Sequence, residues 1–169
     1  MALTRINNNS LSNVTSAGLP SGSVIQVVTG TFGKVDLIDV NTYTDIASIN
    51  ITPTSTSSKI IVTFNFQCIW GMNVAGNNGV GFRILRDSTV VREPVANANG
   101  PYQFYWPETS MRELIDYNCV DEPLTTNQIT YKLQGRVHAL TSNTDYLVIN
   151  EIGNTASETG QITVMEIAG

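Results

Sequence analysis

The stretch KIIVTFNFQCIWG, residues 59–71, constrains the fold more than any other part of this chain. Its residues alternate without a break. Ile60, Val62, Phe64, Phe66, Cys68 and Trp70 fall on one parity, and Ile61, Thr63, Asn65, Gln67 and Ile69 on the other. Successive side chains of an extended strand point to opposite faces, so this period of two makes a strand with one wholly apolar face. Each large apolar side chain buried there contributes about 1.5–3 kcal/mol before entropy is counted. Such a strand belongs at the centre of the core.

The rest of the sequence repeats the signal in shorter pieces. SVIQVVTG (23–30), VDLIDVN (35–41) and YTDIASINIT (43–52) read as strands, followed by the turn-rich PTSTSS. VGFRILRDSTVVRE (80–93) is a hairpin with its tip at Asp87 and Ser88, and YLVINEIG (146–153) and QITVMEIAG (161–169) close the chain. MRELIDYNCVDEP (111–123) admits two readings. Ser110 and Glu113 have the spacing of a capping box that opens a short helix. As a strand, Met111, Ile115, Tyr117 and Cys119 share a face and Glu113 breaks the pattern; the strand is the favoured reading. About eight to ten short strands with turn chemistry between them predict an all-β fold, an antiparallel β-sandwich of jelly-roll type. Residues 23–169 form the domain, and the polar residues 1–22 form an extended N-terminal arm.

Composition narrows the function classes. Charged residues make up only 14% of the 169 and the net charge is -5. Without a basic face no nucleic-acid partner is expected. No apolar run is long enough to cross a membrane, and the N-terminus lacks the apolar segment of a secretory signal. The glycosylation tripeptides at Asn8, Asn13 and Asn50 are therefore read as chance. Cys68 and Cys119, the two cysteines, read as buried thiols rather than a disulfide.

A search for chemistry finds little. His138, the one histidine, lies in QITYKLQGRVHA (128–139) on the polar parity with Thr130, Lys132, Gln134 and Arg136. It reads as a solvated surface residue, since one imidazole without clustered Cys or carboxylates makes no ligand set. Glu151 and Glu166, on the last two strands, are the one carboxylate pair that a glycosidase reading can use. Asp36 and Asp39 point to opposite faces. Phosphate-binding, dinucleotide and metal-ligand spacings are missing, so no catalytic residue, cofactor or metal is expected. Two segments suit binding. Tyr102, Phe104, Tyr105 and Trp106 crowd the loop 94–110 as a ligand platform, an interface anchor or a plug for the end of the sandwich. Trp70-Gly71-Met72-Asn73 leads into an Asn/Gly-rich turn. Finally, Ile61 and Ile69 oppose the Phe64/Phe66 face, and Leu147 and Ile149 alternate with Tyr146 and Val148. A second apolar set of this kind calls for a symmetric partner.

The segments CVDEPLTTNQITYKLQGRV (119–137), YLVINEIG (146–153) and GQITVMEIAG (160–169) resemble small structural proteins and fibre-tip domains of tailed bacteriophages, especially of marine and cyanobacterial hosts. The opening LTRINNNSLSNVTSAGLPSGSVIQVV resembles the sequence preceding such domains. The resemblance implies a jelly roll like tumour necrosis factor or the complement head, a homotrimer on the virion surface, made in the host cytoplasm. It implies contacts to other virion proteins through residues 1–22, and adhesion to a host-surface glycan or protein. A stand-alone carbohydrate-binding module is the alternative.

Overall fold

The computed structural model describes residues 18–37, 42–71, 78–95, 104–106, 110–138, 146–152, 156–157 and 159–169. They form thirteen strands: β1 (Val24–Phe32), β2 (Val35–Asp36), β3 (Thr44–Ile51), β4 (Lys59–Gly71), β5 (Asn78–Arg86), β6 (Thr89–Arg92), β7 (Phe104–Trp106), β8 (Ser110–Asp121), β9 (Ile129–His138), β10 (Tyr146–Ile149), β11 (Glu151–Ile152), β12 (Ala156–Ser157) and β13 (Gly160–Ile167). No α-helix occurs among the described residues. All pairings are antiparallel.

The thirteen-residue alternation becomes β4, with the predicted boundaries. One edge of β4 pairs with β8 over its length, while the other pairs first with β13 and then with β10. The first sheet runs β1-β13-β4-β8, extended at one end by β10 and β2. The second runs β3-β9-β5-β6, with β7 also on β5. Eight principal strands, β1, β3, β4, β5, β6, β8, β9 and β13, pair first with last, second with seventh, third with sixth and fourth with fifth. That nested pairing, a long hairpin rolled into two facing sheets, is the jelly roll.

The core is the space between the sheets. Ile60, Val62, Phe64, Phe66 and Cys68 of β4 pack with Phe82 and Ile84 of β5, Tyr131 and Leu133 of β9, and Ile162 and Val164 of β13. Phe66 meets the edge of the Phe82 ring at 5.0 Å. Gly135 keeps its place in β9 because an added Cβ would lie 2.7 Å from Leu37 and 2.8 Å from Ile46.

Several expectations change. The strand reading of 111–123 holds as β8 and the short helix does not form. The loop 94–110 contains strand β7, because Phe104 to Trp106 pair with Val80 to Asn78. The stretch 146–153 is broken at Asn150, whose φ of 57° no strand accommodates. Asp87, at φ 54°, forms the expected hairpin tip. Both cysteines are free; Cys68 is buried, and Cys119 only half-buried.

Asn150 has a reason for its backbone. Gln161 opposite Asn65 ends the pairing of β13 with β4, and Ile149 opposite Cys68 begins that of β10. Phe66 and Gln67 are left between them. Asn150 fills the gap: its Oδ1 accepts from the Gln67 amide and its amide donates to the Gln67 carbonyl. Its Nδ2 donates to the carbonyls of Phe32 and Gly33. Replacing Asn150 by Ala should cost about 2–3 kcal/mol in urea unfolding, since buried bonds are lost and alanine disfavours the left-handed backbone. Asn150→Gly, which keeps the backbone and loses only the side-chain bonds, should cost less.

Candidate functional site

The two carboxylates singled out in the sequence lie far apart. Glu166 stands on the inner face of β13, opposite Gln26 and Ile60, and is fully buried. Glu151 pairs with Lys34, past the other end of β1. Roughly 20 Å of strand separates the Gln26 and Phe32 ends of β1, against the 5–9.5 Å or so that glycosidase carboxylates require. The pair is not a catalytic couple.

Glu166 instead accepts four hydrogen bonds. Oε1 takes the Thr54 amide at 2.7 Å, the Thr54 hydroxyl at 2.9 Å and the Ser58 hydroxyl at 2.6 Å; Oε2 takes Gln26 Nε2 at 2.5 Å. It thereby folds the Ser/Thr-rich turn 52–58 over the end of the sandwich. Burial pushes its pKa up, but the bonds from Ser58, Gln26 and Thr54 outweigh burial and hold it below the usual glutamate range. The stabilisation is therefore complete above the ordinary value of about 4.3 and fades as pH falls through the lower folded value. Glu166→Gln should cost about 2 kcal/mol at pH 7. The difference from wild type in urea midpoint should stay constant from neutral pH down to about pH 5 and shrink below about pH 4.

The register draws together two features that are distant in sequence. Gly79 of β5 lies opposite Tyr105 of β7 on one side and opposite His138 of β9 on the other. The aromatic segment and the histidine therefore share one row across the second sheet, with Arg136 opposite Gly81 in β5 two residues along. Tyr102 lies outside the described residues, as do Met72 and Asn73.

On the outer face of the second sheet, nearer its middle, the side chains form a continuous polar network. The Arg83 guanidinium lies 3.8 Å from the centre of the Tyr43 ring. Arg83 Nε donates to Gln134, Gln134 donates to Asp45, and Asp45 pairs with Lys132 at 3.3 Å. Arg83 also meets Glu93 at 3.7 Å. The Gln134 bond, with help from Lys132, holds the Asp45 carboxyl below its ordinary value.

The outer face of the first sheet differs in kind. Val27, Met165, Ile61 and Val120 stand in one row across β1, β13, β4 and β8. The next row is Thr29, Thr163, Thr63 and Asn118, and the third is Thr31, Gln161, Asn65 and Asp116. Charge enters only at the margins, with Asp116 and Arg112 on β8 and Lys59 at the start of β4. Val27 is 53% exposed and Val120 63%; Leu114, on the same face of β8, is 81% exposed.

Of the four residues expected at a subunit contact, only Ile61 keeps accessible surface on this face. Ile69 shares the face but is nearly covered. Leu147 and Ile149 are corrected: they point inward, opposite Trp70 and Cys68, and belong to the chain's own core. The partners of Ile61 in the apolar row, Val27, Met165 and Val120, were missed because each comes from a different strand, and only the pairing register aligns them.

No family model matches the chain, and no curated protein matches it. Among solved structures it is similar to the T13 particle of infectious bursal disease virus, at 13% identity and a TM-score of 0.43, over 87% of this chain and 37% of that one. It is also similar to the VP2 subviral particle of infectious bursal disease virus, at 16% identity and 0.39, over 85% and 38%. The T=1 particles derived from that virus match at 14% identity and 0.41, over 87% and 37%. The chain thus spans less than two-fifths of the length of these proteins.

Proposed function

We propose that this chain is a non-enzymatic virion structural protein of a tailed bacteriophage, a homotrimeric jelly-roll knob of tumour-necrosis-factor type on the particle surface. It serves as a short fibre or as a capsid or tail decoration. The observation that carries the reading is the outer face of the first sheet. A central, four-stranded face in a chain with net charge -5 holds threonines, amides and an apolar row where a solvated sheet would hold charges. Its most exposed apolar residues, Val24 and Val27 on β1 and Leu114 and Val120 on β8, lie at opposite edges. A two-fold contact needs one self-complementary patch, whereas two different patches at opposite edges suit a head-to-tail ring. The polar network around Tyr43 and Arg83 then faces outward.

In this reading residues 1–22 hold the knob to other virion proteins, and three outward faces engage a host-surface glycan or protein. Each contact is weak, and linkage within one particle multiplies them. The row that joins Tyr105, Gly79 and His138 is the favoured ligand position.

Native mass spectrometry tests the assembly. The wild-type chain should appear at three times 18.4 kDa and persist on dilution. Placing two lysines in the uncharged face, Ile61→Lys with Thr163→Lys, should leave a folded monomer, because adjacent like charges would be buried at the contact. A wild-type chain that is monomeric at every concentration would remove the trimer.

A further inference from the structure

We infer that Leu124 of one copy is an anchor that seats in the cavity beside Ala168 of the next copy around the ring. The inference rests on the trimer proposed above and names the contact at one end of it.

Leu124 follows β8 and is unusual in two respects. Its φ of 55° is left-handed, which burdens a leucine and suits glycine. Its side chain is 72% exposed. The buried Pro123 fixes the chain before it, and the Thr125 hydroxyl accepts the Asn127 amide after it. A strained backbone that displays an apolar side chain to water stabilises nothing in the isolated chain. Such strain accumulates where a side chain is held ready for a partner.

The cavity of about 320 Å³ beside Ala168 is lined by Leu19, Ile25 and Ala168 together with the hydroxyl-bearing residues of the 54–58 turn, and none of its lining side chains is charged. It exceeds the roughly 150 Å³ hole that admits a benzene-sized group in a protein core, so a leucine side chain fits. The walls are fixed in advance. Glu166 holds Thr54 and Ser58, and Ala168 exchanges backbone bonds with Gly22 and Ser23.

Anchor and cavity stand at the same height on opposite sides of the sheet. Gln26, Glu166, Ile60 and Asp121 form one row across β1, β13, β4 and β8. Ala168, Ser58 and Leu124 all lie just beyond that row, at the same end. Three strand spacings, about 14 Å, separate the β8 edge from the β1 edge. When the β8 side of one copy meets the β1 side of the next, Leu124 arrives level with the neighbour's cavity. Each copy offers one anchor and one socket, so a closed head-to-tail ring, such as the proposed trimer, leaves none over.

The full-length chain tests this through three variants. Leu124→Gly relieves the backbone, so the folded chain should melt higher, yet the trimer should dissociate at a concentration at least about tenfold higher. Leu124→Asp should give a folded monomer, with its strand signature retained by circular dichroism. Leu124→Cys combined with Ser57→Cys, a residue at the cavity rim, should yield covalent trimers under oxidation, and neither single variant should. If the wild type is a trimer and these variants leave its dissociation unchanged, or the double cysteine stays uncrosslinked, the anchor is overturned while the trimer stands. A monomeric wild type overturns the trimer itself and the anchor with it.

Discussion

Strand β4 is hydrogen-bonded along both edges, and every other long strand of the first sheet takes its position from it. Its inner residues, Ile60 to Cys68, are 0–2% exposed, so slipping the register by one residue would carry five apolar side chains out of the core and put threonine and amides in. The penalty would be about 1.5–3 kcal/mol for each large side chain moved. That sum is comparable to the whole marginal stability of an ordinary domain, so the register is fixed. Fixing β4 also fixes β13 and β8 on its two sides, and through them β1. The one place where β4 loses a neighbour is at Phe66 and Gln67, and at Gln67 Asn150 supplies a side chain in place of a strand.

The sheets are joined by polar contacts as well as by the core. Tyr117 of β8 donates to the Phe82 carbonyl of β5 at 2.9 Å. Arg86 of β5 grips both oxygens of Asp121 at 2.8 and 3.0 Å, and the Tyr131 hydroxyl adds a third bond at 2.7 Å. Arg92 lies over the Tyr117 ring and donates to the Asn118 carbonyl on the edge of β8. Partner-satisfied groups of this kind specify one facing of the two sheets, where apolar contacts alone would tolerate sliding. They also guard the edge of β8. Strand β1, by contrast, has no charged residue from Val24 to Phe32, and the usual protection of an edge strand is missing.

The parts of this fold that were legible from the sequence are those that local period controls. Residues 59–71 alternate strictly because β4 is buried on one face and half-covered on the other, and the boundaries followed. Strands β9 and β13 were readable for the same reason. What the sequence hid is non-local. Asn150 carries no signal of a break, since Tyr146 to Ile152 alternate well enough for one strand, and only the end of β13 explains why the chain turns there. Leu147 and Ile149 looked like a surplus apolar face because parity says that two faces differ without saying which is inside. The apolar row of Val27, Met165, Ile61 and Val120 is spread over nearly 140 residues, and each member alone is an ordinary strand residue. Glu166 belongs with these: an acid in an apolar strand reads as a catalytic candidate until the donors of the 52–58 turn are seen around it.

The contrast between the two outer faces bears on how such a chain is used. A lone sandwich in water has no reason to put its charged network on one sheet and leave the other without charge at its centre, since both faces would meet the same solvent. Arg83, Glu93, Asp45 and Lys132 are solvated at one face, where their pairing contributes little to stability, as exposed ion pairs do. Threonines and amides on the other can lose water and regain hydrogen bonds against a similar face, whereas buried charges would need exact counterparts. A surface made of side chains that are neither strongly hydrated nor strongly apolar also keeps the unassembled chain in solution. In the trimer proposed above, the apolar row drives self-association and limits it to the face that carries it.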